Sequence, residues 1–208
     1  MDANTEPAAE PKLAPPGAGL PPLELFIGRL LIAWARLTST RESRNARFQR
    51  EREAIRALVV RCDALVARGD VDSGARRILI ARPPGLEDSS RHWSVWMTLD
   101  HLRIVNSGIT RTIQSLANGT VPERTASTAA VKPSPLAGAA TAAAYEQSCD
   151  TLLATVAAVP DLHTPLRYAH PWFGPLDAAG WHFIAATHMG LHRVQLERIL
   201  AALQPAVV

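Results

Sequence analysis

Residues 177–203 read DAAGWHFIAATHMGLHRVQLERILAAL. Asp177 is a good N-cap, because its carboxylate can accept a backbone N–H of the first turn, and Leu176 before it is placed to staple onto Trp181. At about 100° per residue, His188 and His192 lie within about 20° of the line through Trp181 and Ile199. Ile184, Ala185, Gln195 and Leu196 flank that line, while His182, Gly190, Arg193 and Glu197 fall outside it. The stretch predicts a helix over 178–203 with two imidazoles at the centre of its buried stripe.

A second helix is expected over 92–117, capped by Ser89 or Ser90 and stopped by Asn118-Gly119. On it His101 shares a face with Met97, Val105, Gly108, Thr112 and, more obliquely, Ile104 and Leu116, whereas Arg103, Asn106 and Gln114 point away. Two further apolar stripes follow helical spacing. One runs over 44–68 through Phe48, Ile55, Leu58, Val59, Cys62, Leu65 and Val66, introduced by a Ser39-x-x-Glu42 capping box and closed by Gly69-Asp70. The other spans 139–158 through Tyr145, Cys149, Leu152, Leu153 and Val156, and Pro160 ends it. Ile78-Leu79-Ile80 reads as a short extended piece. No longer strand competes, so the expected fold is all-α: an antiparallel four-helix bundle over 44–203.

Outside the bundle, residues 23–43 form an extra N-terminal helix. Residues 1–22, with Pro7, Pro11, Pro15, Pro16, Pro21 and Pro22, bury too little apolar surface to offset their ordering entropy and are expected to be a disordered tail. Residues 118–138 are a low-complexity loop of Thr, Ala, Pro and Ser, and a second loop carries His163 and His170.

Composition narrows the function. The chain has 208 residues, a formal net charge of +3 and only two lysines, Lys12 and Lys132. Its arginines are interspersed with acids and form no basic run, and its aromatics do not alternate with them, which argues against a nucleic-acid surface. The apolar stretch Leu23–Leu37 is broken by Glu24, Arg29 and Arg36 and is too short to span a bilayer, and the N-terminus lacks a signal-peptide pattern. Cys62 and Cys149 fall at apolar helical positions and in no CxxC pair, so free thiols and a cytoplasmic location are expected.

The histidines carry the chemistry. His188 and His192 are i and i+4 on one face, and His101 from another helix would complete three nitrogen ligands with positions left open, as in a catalytic rather than a structural metal site. Met189 follows the first histidine where an HExxH metalloprotease needs glutamate. Spacing leaves two readings open: a shared divalent ion, or three core histidines each with its own hydrogen-bond partner. Gln195 is placed to orient a ligand or to satisfy a core hydrogen bond. His170 sits near the site mouth or fixes a turn, His182 points outward, and His92 and His163 are expected at the surface.

The run Trp93-Ser94-x6-His101-Leu102, with His188-x3-His192-x2-Gln195-Leu196, resembles the DinB-like superfamily, which includes bacillithiol S-transferases. The segment His170-Pro171-Trp172-Phe173-Gly174-Pro175-Leu176 is similar to one in a branch of that superfamily. The resemblance covers roughly residues 44–203. It implies His101, His188 and His192 as ligands of a divalent metal (zinc, nickel or iron), a homodimer, and a metal-dependent thiol transferase or small-molecule hydrolase acting with a low-molecular-weight thiol or another small substrate. The alternative is a non-catalytic dimeric bundle serving stress or binding. An open cavity above the triad would favour the enzyme; a closed, dry core would favour the module.

Overall fold

The computed structural model describes residues 11–67 and 73–204. Five helices dominate: α1 (Pro22–Thr38), α2 (Arg41–Ala67), α3 (Val95–Ala117), α4 (Thr141–Ala158) and α5 (Ala178–Leu203). The strands are short, with β1 (Ile78–Leu79) paired antiparallel to β2 (His92–Trp93) and β3 (Tyr168–His170) paired antiparallel to β4 (Gly174–Leu176). The helices pack in the order α2–α5–α3–α4, α4 also touches α2, and α1 lies on α5. This is a four-helix bundle with an added N-terminal helix.

The expected stripes form the core: Phe48, Ile55, Leu58 and Cys62 from α2 meet Leu99, Leu102 and Ile113 from α3, Tyr145, Cys149 and Leu152 from α4, and Met189, Leu196 and Ile199 from α5. Arg52 is buried within α2 and bonds Glu146 and Asp150 of α4 at 2.6 and 2.7 Å, closing the bundle on that side. Both cysteines are buried free thiols.

Three local expectations shift. The capping box that opens α2 is one residue later than Ser39/Glu42: Ser43 N donates to Thr40 Oγ1 at 3.2 Å and Thr40 N donates to Ser43 Oγ at 3.0 Å. Ser39 is already taken at the end of α1, where its hydroxyl donates to the Ala35 carbonyl. The cap of α3 is Ser94, whose Oγ accepts from Met97 N, and not Ser89 or Ser90. Pairing of His92 and Trp93 with Leu79 and Ile78 draws both out of the helix and delays its start. Asp177 does cap α5, accepting from Gly180 N at 2.8 Å.

The Pro-rich segment departs from the disordered reading over its described part. Ala14 N donates to Asp88 Oδ2, and Gly17 N and Gly19 N both donate to Glu87 Oε1. Prolines leave such a segment few internal partners, so the carboxylates of 87 and 88 hold it instead. Residues 1–10 and the expected stop at Gly69-Asp70 lie outside the described residues.

Candidate metal centre

The α3 helix brings His101 to the same point as His188 and His192, one turn apart on α5. Among the described residues these three offer ligand atoms that all lie within 4.8 Å of one another. The Nε2 atom of His188 is 3.1 Å from Nε2 of His101 and 3.1 Å from Nε2 of His192. His101 and His192 are buried and His188 is half-buried. Trp93 stacks on His192 with an interplanar angle of 9° and tilts against His101, so β2 supplies one wall.

Outer partners decide where the protons sit. Nδ1 of His101 lies 2.7 Å from the carbonyl of Val131, which only accepts, so that nitrogen carries the hydrogen. Gln195 Nε2 donates to the Ser90 carbonyl at 2.7 Å, which leaves its Oε1 to accept from Nδ1 of His192 at 2.6 Å. Both rings therefore aim a bare Nε2 lone pair inward when neutral. Burial favours the neutral forms: it pushes His101 down to about 4, and it holds His188 and His192 well below the usual imidazole range, helped by the neighbouring rings. A neutral His188 has at most one Nε2 proton for two lone pairs, so the three rings cannot satisfy one another. A cation at their common point resolves the conflict, and the donor set fits one: three imidazole nitrogens, two with hydrogen-bonded rear nitrogens.

The loop expected at 118–138 is part of this site. Val131 belongs to a single 3-10 turn, Ala129–Val131, and Asp100 next to His101 accepts from Ser134 N at 2.9 Å. Adjacent residues of α3 thus tie down the loop that in turn fixes His101. Sequence reasoning missed Val131, because a backbone carbonyl has no residue signature; the only hint was a carboxylate beside a buried histidine.

A cavity of about 670 Å³ opens over the triad, walled by β2, α3, α5, the 122–132 segment and the β3–β4 hairpin. His170 lines it, stacked on Phe173 and tilted against Trp181. Trp172 N donates to His170 Nδ1 at 3.2 Å, so the neutral ring keeps its proton on Nε2. Burial lowers its pKa to about 4.

The remaining histidines divide. His163 is exposed as expected, whereas His92 is half-buried in β2. His182, expected to point outward, is 0% exposed, and neither ring nitrogen has a hydrogen-bond partner. That side of α5 packs on α2, where Arg44 is also buried and donates to the Ala179 carbonyl. Burial pushes His182 down to about 3, reinforced by Arg44 and Arg41. Asn106 is likewise buried rather than outward, because α4 covers that face and Asn106 Nδ2 donates to Ser148 Oγ at 3.3 Å.

The family model of the DinB superfamily matches residues 47–196. No curated protein matches the chain. Among solved structures, the crystal structure of TT2238, a four-helix bundle protein, aligns with a TM-score of 0.51 at 22% identity, covering 76% of this chain and 98% of that one. At that identity the likeness is one of fold. His101, His188 and His192 all lie inside the matched family region, and α1 lies outside it.

Proposed function

The chain belongs to the DinB superfamily, and from that premise we propose that His101, His188 and His192 hold a divalent metal ion at the floor of the cavity, where a small molecule is transformed. The observation that carries this reading is the proton accounting: two Nε2 lone pairs and the third ring converge with one proton at most between them. When bound, the ion supplies Lewis acidity toward a donor atom of the small molecule, with the positions not taken by imidazole left for it. The metal association and thiol chemistry of the resembling superfamily point to transfer of a low-molecular-weight thiol or hydrolysis of a small substrate. Buried free thiols suit the reducing cytoplasm.

The chain's own groups divide the remaining work. Gln195 and Val131 lock two ligand tautomers, and Trp93 fixes the planes of two rings. Trp172, Trp181 and Ile184 give the substrate an apolar bed, and His170 offers an Nε2–H donor. Arg111, Arg124 and Lys132 also line the cavity, against Glu87 and Glu123 as its acids, and no ion pair joins any of the three cations to an acid among the described residues. The cavity therefore suits a molecule with an apolar body and an anionic group. An open cavity of this size above the triad favours the enzyme over a bundle whose core is closed and dry.

The test is elemental analysis of protein purified without a polyhistidine tag, with thermal unfolding in the presence and absence of chelator. We expect about one divalent ion per chain, destabilisation by chelator, and loss of both in His192→Ala. Metal-free wild type whose unfolding is indifferent to chelator and to added zinc, nickel or iron would overturn the proposal.

A further inference from the structure

Helix α1 carries an apolar face that nothing in the described structure covers. Leu23, Phe26, Ile27, Leu30, Leu31, Trp34 and Leu37 are between 47% and 88% exposed. At 100° per residue they occupy one continuous arc of about 140°. The opposite side faces the domain: Ile32 and Ala35 are buried, and the helix lies on α5. Single exposed leucines are ordinary, but seven large apolar side chains on one 17-residue helix are not.

We propose that this face is the contact between two copies of the chain. Its area suits the purpose: the seven side chains present on the order of 900 Å², against about 800 Å² per partner in a typical stable interface. A stripe without charge needs no complementary pattern and so matches itself across a two-fold axis. Leu30 is close to the middle of Pro22–Thr38 and would meet its own copy whether the two helices run parallel or antiparallel. The helix is braced for the load. Arg82 Nη1 donates to Glu24 at 2.9 Å, Arg29 donates to the Trp172 carbonyl at 2.9 Å, and Arg36 pairs with Asp177 at 3.4 Å.

Those same contacts argue against a lipid surface. Glu24, Arg29 and Arg36 are the only charged residues of α1; Glu24 and Arg36 are ion-paired with the domain, and Arg29, which donates to the Trp172 carbonyl, lies about 60° outside the apolar arc, so no cation flanks the face toward lipid headgroups. The segments outside the described residues are also unsuited as a cover: residues 1–10 contain Met1 as their only large apolar side chain, residues 68–72 are Arg-Gly-Asp-Val-Asp, and residues 205–208 are Pro-Ala-Val-Val. The interface stands on a helix outside the family region, so it is independent of the metal site. It nevertheless bears on the site's surroundings, because Arg29 and Gly28 contact the hairpin that carries His170, with Phe173 against Gly28.

Sedimentation equilibrium of the full chain tests the proposal. Wild type should weigh twice its 22.5 kDa, and Leu30→Glu and Leu30→Lys should each return to 22.5 kDa with unchanged helical circular dichroism. Mixing the two variants should restore the dimer, since opposite charges then meet at the axis. A monomeric wild type at about 100 μM, where a specific dimer of micromolar Kd would be assembled, overturns it. So does a Leu30→Glu variant that stays dimeric. Wild type that is monomeric and sediments with vesicles of phosphatidylcholine and phosphatidylglycerol would assign the face to a membrane surface instead.

Discussion

His192 donates through Nδ1 to Gln195 at 2.6 Å, and Gln195 passes the bond on to the Ser90 carbonyl at 2.7 Å, so one amide both fixes an imidazole and anchors α5 to the segment before α3. The amide is fully buried, and each of its polar atoms has one partner. Rotating the amide would set a donor against Nδ1–H and an acceptor against a carbonyl, which locks its orientation as well.

Gln195→Leu keeps approximate volume but leaves His192 Nδ1–H and the Ser90 carbonyl without partners. Metal affinity should fall about 10–100-fold, the usual cost of losing a partner behind a ligand, with about 1–3 kcal/mol of stability lost from the orphaned groups. Competition against a chromophoric chelator gives the first quantity and urea unfolding of the metal-free protein gives the second. Unchanged affinity in Gln195→Leu would show that His192 needs no orienting partner.

The His182 prediction concerns acid sensitivity. Its folded pKa, about 3, lies below the unfolded imidazole value of about 6.5. Above pH 6.5 neither state binds the proton and the ring adds no pH dependence. As pH falls from 6.5 toward 3, the unfolded chain takes up a proton that the folded chain refuses, and stability drops by up to about 1.4 kcal/mol per pH unit. His182→Leu removes that term together with two buried nitrogens that lack partners. The variant should be at least as stable as wild type at pH 7 and should lose less stability between pH 6.5 and 4, as read from urea midpoints of the metal-free proteins. Parallel pH profiles for the two would refute the assignment.

The contrast between these residues shows what the chain discloses before folding. His188, His192 and Gln195 were readable because α5 has a clear N-cap and an apolar stripe whose centre they occupy, and His101 because its helix wheel is equally well defined. His182 and Asn106 were misread for one reason. A wheel shows a helix's most apolar face, whereas α5 packs against α1, α2 and α3, and α3 against both α4 and α5, so each buries a second side with polar residues on it. Of the short strands only β1 was legible, as the extended piece Ile78-Leu79-Ile80; the other three escaped notice because two or three paired residues have no period. The role of the 118–138 loop lay in backbone groups, Val131 O and Ser134 N, which any sequence of that length supplies.

That loop supports the last prediction. Asp100 accepts from Ser134 N at 2.9 Å and pairs with Arg103 at 2.8 Å, and its neighbour His101 bonds Val131 three residues before Ser134. The loop's own secondary structure is one 3-10 turn, so its hold on α3 depends on few contacts. Asp100→Ala removes the carboxylate while leaving all three imidazoles in place. The loop should open more often, and trypsin should cleave after the exposed Arg124 several-fold faster than in wild type; the bond after Lys132 precedes Pro133 and is not a trypsin site. His101 would then lose Val131 for part of the time, and metal affinity should fall, though less than in His101→Ala, which deletes a ligand. Bound metal should in turn slow cleavage in wild type, because fixing His101 Nε2 also fixes the ring whose Nδ1 holds Val131. Cleavage that is unaffected by Asp100→Ala and by metal alike would mean that the loop is held by other contacts and has no energetic link to the histidines.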